Sequence, residues 1–258
     1  MNRHSMLRKA MMGAIALGFV ASVYAAGETD TAVPGAAMPK GHYAALDTLP
    51  DWGGIWTLNF GTPGVKRETP TLKGKYLARY QAFQKDADGR HGAIKKTASN
   101  CTPPGMPYIM SVGQYPIEFL LTPGRVTVHH EAWMQWRVIF TDGREHPDTE
   151  ASFNGNSIGH WEGDTLVIDT VNIKTTVPLM PGMFHSEQVH IVERVHLDAK
   201  NKDTLLVEIS VEDPVALEKP YKNTLSFTRS REGDLLEFIC AENDRNPVSS
   251  SGDTLFDH

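Results

Sequence analysis

The segment GNSIGHWEGDTLVIDT, residues 155–170, decides between two kinds of fold. Its first five residues match the G-x-S-x-G motif of serine hydrolases, in which a strand-to-helix turn exposes the nucleophilic serine. Here a hairpin signal, Glu162-Gly163-Asp164, follows instead of a helix. The chain also lacks the alternation of strands and helices on which the hydrolase fold is built. We therefore interpret Ser157 as a residue that satisfies local backbone groups, and the segment as part of an antiparallel sheet.

Strands dominate the chain from Pro116 onward. About nine segments of β-forming residues follow one another with mostly short connections and no helix between them. Closing such a meander into a barrel removes its exposed edges. We expect an all-β fold, a single antiparallel, lipocalin-like, up-and-down barrel. One helix is expected on its N-terminal side, over residues 72–88, where Leu77, Tyr80 and Phe83 recur at helical spacing.

The N-terminal region predicts export. In residues 1–25, basic residues precede a short apolar run and small residues precede a cleavage point, which is typical of a signal peptide. Residues 26–50 are rich in Ala, Gly, Pro and Thr and are expected to form a flexible arm. Residues 51–258 are expected to form one barrel domain. The apolar run is short for a membrane span, so we expect a periplasmic or secreted protein with no membrane insertion after signal cleavage.

The charge balance argues against nucleic acid as a partner. The full chain carries 25 basic and 31 acidic residues, and loss of the signal would make its net charge more negative than −6. An acidic exported protein is not attracted to nucleic acid at long range. We expect no cofactor, because no glycine-rich phosphate loop precedes a helix. We also expect no metal site, because the H-E-x-x-H and C-x-x-C motifs are absent and the histidines are poorly spaced.

Cys101 and Cys240 are the two cysteines of the chain, and both lie in the exported part. An oxidising periplasm favours a disulfide between them. Such a bridge closes a long loop and would stabilise the fold by about 4–5 kcal/mol in the chain-entropy model. The alternative is two unrelated buried thiols.

Ionisable residues embedded among aliphatic neighbours indicate where a site would lie. Because side chains alternate along a strand, Asp169 shares a face with two valines, and Glu193 shares one with Ile191 and Val195. His130 shares a face with further valines. If these faces line a hollow barrel, the groups are candidates for ligand binding or proton transfer. Asp169 and Glu193 are equally open to a second interpretation, as structural ion pairs with arginine.

The catalytic hypothesis assigns roles to these groups. Asp169 or Glu193 would act as the base, His130 or His185 as the acid, and Arg137 as an anion clamp. The loop over residues 174–186 would bring His185 back to the sheet and could serve as a lid. Further ligand contacts are predicted at Glu131, Trp133, Trp136, Trp161, Arg144 and His146. His130 is alternatively a hydrogen-bonded core histidine.

The stretch from Cys101 to Asn246 resembles a large family of exported, mostly uncharacterised bacterial proteins that is common in soil acidobacteria and sphingomonads. The motifs that carry the resemblance are TPGRVTV (122–128), IFTDGREHP (139–147), SIGHWEGDTLVIDT (157–170) and LLEFICAENDRN (235–246). Similar sequences carry cysteines at both matching positions, and usually His or Tyr where Asn156 stands here. The resemblance implies an exported protein but no established reaction.

Three functions remain open from the sequence. The first is a cofactor-independent lyase, dehydratase or isomerase that acts on a small organic molecule. The second is a non-catalytic periplasmic carrier, in which Trp133, Trp136 and Trp161 would contact an apolar or aromatic ligand. The third is a structural module of the cell envelope. A soil lifestyle favours plant-derived aromatic compounds as ligands, by analogy alone.

Overall fold

The computed structural model describes residues 43–60, 68–89 and 101–239. The strands in these ranges are β1 Ile55–Leu58, β2 Ile117–Thr122, β3 Arg125–His130, β4 Gln135–Phe140, β5 Asn156–Glu162, β6 Thr165–Val171, β7 Pro178–Met180, β8 Met183–Phe184, β9 His190–Leu197, β10 Thr204–Glu212 and β11 Tyr221–Ser230. The α-helix is α1 Gly74–Gly89, and short 3-10 helices span Tyr43–Leu46, Tyr108–Ser111 and Ala132–Met134. No helix in these ranges is long and apolar enough to cross a membrane. The signal peptide, most of the arm and Cys240 lie outside the described residues, so the disulfide stays a prediction.

Nine strands close into a barrel in the order β1-β11-β10-β9-β6-β5-β4-β3-β2. The expected barrel, with its helix on the N-terminal side, is therefore confirmed. Neighbouring strands are antiparallel except for β4 and β5, which run parallel and pair only over Ile139–Ser157 and Phe140–Ile158. Residues 141–155 carry the chain back along the barrel between these two strands, as a parallel pair requires. The up-and-down meander is thus interrupted at this one pair.

The hairpin that decided against a hydrolase is present. Glu162 pairs with Thr165 across a two-residue turn, in which Gly163 has a φ of 59°. Ser157 lies within β5, opposite Thr170, rather than on a strand-to-helix turn. Its hydroxyl is buried and contacts the side chains of Thr170 and Arg137, not the local backbone groups that the sequence suggested.

Side chains fill the barrel. The buried inward-facing residues include Trp56, Phe119, Ile139, Leu166, Ile168, Ile191, Val195, Leu205, Val207, Leu225 and Phe227. At one end Trp52 packs against Phe119 and Trp161, with ring centroids 5.1 Å apart in each case. At the other end Tyr108 and Leu179 line a cavity of about 100 Å³ above Tyr221 and Leu225. Ligand pockets usually measure ~300–1,000 Å³, so this space is too small for the central ligand site that the sequence suggested.

Helix α1 is fixed to the outside of the barrel at two places. Just before the helix, the Lys73 N–H donates to the Ala216 carbonyl at 2.9 Å, in the connection between β10 and β11. Further along, Phe83 packs on Gly182 in the β7–β8 hairpin, and a Cβ atom on that glycine would come within 2.3 Å of the ring. The helix is therefore held between the β10–β11 connection and the β7–β8 hairpin.

The contact between Gly182 and Phe83 leads to a prediction about the stability of a Gly182 variant. Gly182 and Gly143 have nearly equal positive φ angles, 78° and 79°, but a Cβ atom on Gly143 would meet nothing within 4 Å. We expect Gly182→Ala to lower the free energy of unfolding by about 1–3 kcal/mol more than Gly143→Ala, because the added methyl overpacks the contact with Phe83. Urea denaturation measures both losses. Equal losses of unfolding free energy in the two variants would show that Phe83 of α1 does not pack against Gly182.

Candidate functional site

The barrel interior contains a buried ion pair. The Arg137 Nη1 donates to Glu193 Oε1 at 3.1 Å, and its Nη2 donates to Glu193 Oε2 and to Thr170 at 2.9 Å. The Arg137 Nε donates to Ser157 at 3.2 Å, and both charged side chains are buried. Glu193 therefore faces inward as expected, but Arg137 is occupied by protein groups. The structural ion pair is the arrangement found, and Arg137 is not placed as an anion clamp.

His130 also lies inside the barrel, without a partner. Neither of its ring nitrogens has a hydrogen-bond partner in the part of the chain that the structure describes. Burial, together with the charge of Arg137 and the neighbouring His129, lowers the pKa of His130 to about 3. The ring is therefore neutral at neutral pH and carries no imidazolium proton to donate. This corrects the expectation that His130 serves as a general acid, and it is not the hydrogen-bonded core histidine of the alternative interpretation either.

Asp169 points out of the barrel, which corrects its expected place in the interior. Its carboxylate, 40% exposed, lies 2.9 Å from the Nε2 atoms of His146 and of His190. The His146 Nδ1 lies 2.7 Å from the Asn156 Oδ1. Both faces of β6 are largely aliphatic, and the inward face is the one with the larger residues, Leu166 and Ile168. Alternation along the strand therefore could not decide whether the face that carries Asp169 points into the barrel or out of it.

The other predicted ligand contacts do not surround one space. Glu131 accepts the backbone N–H of Leu236 at 2.7 Å, and Trp133 packs against Tyr115 and Phe238. Trp136 is 51% exposed and stacks on His129, with ring centroids 3.7 Å apart. Trp161 lies at the end of the barrel beside Trp52, and Arg144 pairs with Asp142. These side chains are dispersed over several faces and do not form the predicted pocket.

His185 is the predicted catalytic residue that lines a ligand-sized space. This space, which we call the α1 cleft, has a volume of about 690 Å³. It lies between α1, the residues that follow β8, and the β10–β11 connection. Its lining residues are Lys75, Tyr76, Arg79, Thr175, His185, Ser186, Glu187, Gln188 and Val215.

Asp213 joins the two loops that line the α1 cleft. Its carboxylate accepts hydrogen bonds from the Ser186 N–H at 2.6 Å and the Ser186 hydroxyl at 2.8 Å. It also accepts the N–H groups of Val215 and Ala216, each at 2.9 Å. Burial alone would raise the pKa of Asp213, but these hydrogen bonds together lower it below its usual value. Because Ala216 in turn binds Lys73, Asp213 supports both sides of the cleft.

The hydrogen bond of His185 defines its tautomer. The Nδ1 lies 2.7 Å from the Ser186 carbonyl oxygen, which can only accept, so Nδ1 carries the hydrogen. The pKa of His185 is lowered, chiefly by burial, so the ring is neutral at neutral pH. Its Nε2 is then a hydrogen-bond acceptor, and it has no partner among the described residues. This is opposite to the acid role that the sequence suggested for His185.

Lys75, Arg79 and Asp213 are the residues that sequence reasoning missed. Lys75 and Arg79 are four residues apart and so lie on one face of α1, a spacing visible in the sequence. Asp213 precedes Pro214 and satisfies backbone N–H groups two and three residues later, as turn aspartates often do. Neither signal predicts that helix and turn meet.

No family model matches the chain, and no curated protein matches it. Among solved structures, the chain is similar to a Schistosoma mansoni fatty acid binding protein in complex with arachidonic acid. The two are 13% identical, the match covers 69% of this chain and 96% of that chain, and the TM-score is 0.33. The assignment of the barrel rests on the strand pairing itself. Membership of the exported bacterial family stays a prediction.

The buried ion pair makes a prediction about stability. Glu193→Gln leaves the Arg137 guanidinium buried without a counter-charge, so we expect it to lower the free energy of unfolding by about 3–5 kcal/mol. The matched control is Glu162→Gln, since Glu162 forms a solvent-exposed pair with Arg194 at 2.8 Å and such pairs contribute little to stability.

The double variant Arg137→Met/Glu193→Leu separates charge from packing. It removes both charges together, so we expect its unfolding free energy in urea to recover most of the loss. A Glu193→Gln variant as stable as the Glu162→Gln control would contradict the structural role of the pair.

Proposed function

We propose that this protein binds a small organic anion in the α1 cleft, as a carrier exported to the periplasm. The observation that carries the proposal is the pairing of two cationic side chains on one wall of a ligand-sized cleft. Lys75 and Arg79 supply the positive charge, and Glu187 is the acidic residue among the lining residues. A net positive cleft on an acidic chain favours an anionic ligand over a neutral one.

Arg79 is suited to holding a carboxylate. Its guanidinium carbon lies 3.4 Å from the centroid of the Phe184 ring, so the group stacks on an aromatic face. Stacking restrains the planar guanidinium, while its N–H groups lie in the plane of the group and can still donate hydrogen bonds to a ligand. A carboxylate can accept two parallel hydrogen bonds from such an edge, which gives both affinity and orientation.

The proposed site lies outside the barrel, and this changes the carrier hypothesis. Because side chains fill the barrel interior, the proposed ligand binds in a polar cleft on the barrel surface rather than in an apolar space at the centre. Plant-derived aromatic acids fit the proposal, because an aromatic ring can pack beside Tyr76 while its carboxylate meets Arg79. We also propose that the protein is exported, that Cys101 and Cys240 form a disulfide, and that the chain belongs to the exported bacterial family that it resembles.

A second candidate function is cofactor-independent proton transfer. The observation that favours it is the unprotonated Nε2 of His185, a residue that lines the same cleft, since an imidazole in this state acts as a general base. In this version His185 replaces Asp169 and Glu193 as the base. Those two carboxylates do not line the α1 cleft.

Benzoate is a direct probe of the proposed anion site. We expect saturable binding by calorimetry, and weaker binding of the uncharged analogue benzamide. Arg79→Gln and Lys75→Gln should each weaken benzoate binding about tenfold or more, because a hydrogen bond to a charged group contributes ~1.5–3 kcal/mol. Lys85→Gln is the matched control, since Lys85 is exposed on the same helix but does not line the cleft.

Two results would contradict the proposal. One is equal binding of benzoate and benzamide, which would remove the role of charge. The other is a loss of affinity in Lys85→Gln as large as in Arg79→Gln, which would show that the helix charge acts at long range and that no site exists at the cleft.

A further inference from the structure

The α1 cleft carries charges of both signs on different walls. Lys75 and Arg79 lie on the helix wall, and the exposed Glu187 lies on the wall formed by the residues that follow β8. In the part of the chain that the structure describes, these three side chains form no ion pair with each other or with any other residue. The two cations therefore lie more than about 4 Å from the Glu187 carboxylate, the distance that defines an ion pair. Opposite charges that line one cleft without pairing leave room for a ligand between them.

The backbone on both sides of Glu187 is fixed. Ser186 donates its N–H and its hydroxyl to Asp213, at 2.6 and 2.8 Å. The Gln188 N–H donates to the Ser186 hydroxyl at 3.0 Å, which closes a turn around Glu187. The Asp213 carboxylate also binds the Ala216 N–H, and the Ala216 carbonyl binds the residue before α1. The fold therefore sets the separation between the backbone of Glu187 and the helix wall.

Aromatic rings, rather than carboxylates, hold the two cations. The Arg79 guanidinium carbon lies 3.4 Å from the Phe184 ring centroid, and the Lys75 Nζ lies 5.2 Å from the Tyr76 ring centroid. A cation on an aromatic face keeps its full charge, because the ring carries no opposite charge to neutralise it. Both cations can therefore still bind an anionic group, and the Glu187 carboxylate can still bind a cationic one.

We propose that the ligand of the α1 cleft is a zwitterion, an organic acid that also carries an ammonium group, with its carboxylate at Lys75 and Arg79 and its ammonium at Glu187. This inference rests on the proposed function and narrows its ligand to amino acids in the broad sense. Complementary charge across a binding site gives specificity, because a group of the wrong sign meets a like charge. A reversed ligand would place its carboxylate against Glu187, so the two walls also fix the orientation in which the ligand binds.

The first test compares ligands that differ only in the charge of one substituent. Calorimetry on the full wild-type protein measures 3- and 4-(aminomethyl)benzoate, the corresponding methylbenzoates and the corresponding hydroxymethylbenzoates. We expect at least one aminomethylbenzoate to bind about fivefold more tightly than both of its analogues at low ionic strength. This preference should shrink in high salt, because salt screens the interaction of the ammonium with an exposed carboxylate. A hydroxymethylbenzoate that binds as tightly as its aminomethyl analogue would overturn the inference, since a neutral donor would then suffice.

A variant then assigns the preference to Glu187. The measured quantity is the ratio of the aminomethylbenzoate and methylbenzoate affinities within each protein, so a change that affects both ligands alike does not alter it. We expect the preference to disappear in Glu187→Gln and to persist in Glu218→Gln. Glu218 is the matched control, because it is exposed on the β10–β11 connection but does not line the cleft. A preference that survives Glu187→Gln, or that is lost equally in Glu218→Gln, overturns the inference.

Failure of this inference and failure of the proposed function give different results. If the methylbenzoates bind, Arg79→Gln weakens their binding and the ammonium adds no affinity, the inference is overturned and the anion site stands. If none of these acids binds the wild-type protein, the proposed function fails together with the inference.

Discussion

The carboxylate of Asp213 is the interaction on which the α1 cleft depends. It is 3% exposed, and it accepts hydrogen bonds from two separate segments, the residues after β8 and the β10–β11 connection. Hydrogen bonds to an ionised carboxylate are stronger than those between neutral groups. Through Ser186 the carboxylate positions His185, and through Ala216 it reaches the start of α1. Both sides of the cleft and its buried acceptor are therefore set by one ionised side chain.

The barrel acts as a rigid support rather than as a container. Its interior is occupied by aliphatic and aromatic side chains, and its buried charges, Arg137 and Glu193, satisfy each other. Such a pair contributes little net stability when intact but is costly to break, because loss of one partner leaves the other charge buried. The α1 cleft, a ligand-sized space, lies instead where α1 packs against the barrel wall, and the strands of the barrel hold the loops that carry His185 and Asp213. Function at surface loops on a stable scaffold is the common arrangement in proteins.

The sequence predicted those features that depend on neighbours in the chain. Alternation of apolar residues gave the strands, the Gly163 turn located a hairpin, and the expected helix over residues 72–88 is close to Gly74–Gly89. The parallel pairing of β4 and β5 was not predicted, because nothing in residues 141–155 encodes the direction in which a long loop returns. Asp169 was placed on the wrong face, because both faces of its strand are aliphatic. His185 was recognised as a candidate, but its partners in the cleft are distant in sequence and no local pattern joins them.

The most direct test of the account is the protonation state of the His185 ring, measured by long-range ¹H–¹⁵N NMR at neutral pH. The account predicts a neutral ring with hydrogen on Nδ1 and a bare Nε2 in the wild type. It predicts a mixture of tautomers in Asp213→Asn, because the amide cannot accept all the donors that hold Ser186. The control is Asp198→Asn, since Asp198 also accepts two backbone N–H groups but is only partly buried and does not line the cleft. A hydrogen on Nε2 in the wild type, or an unchanged tautomer in Asp213→Asn, would contradict the account.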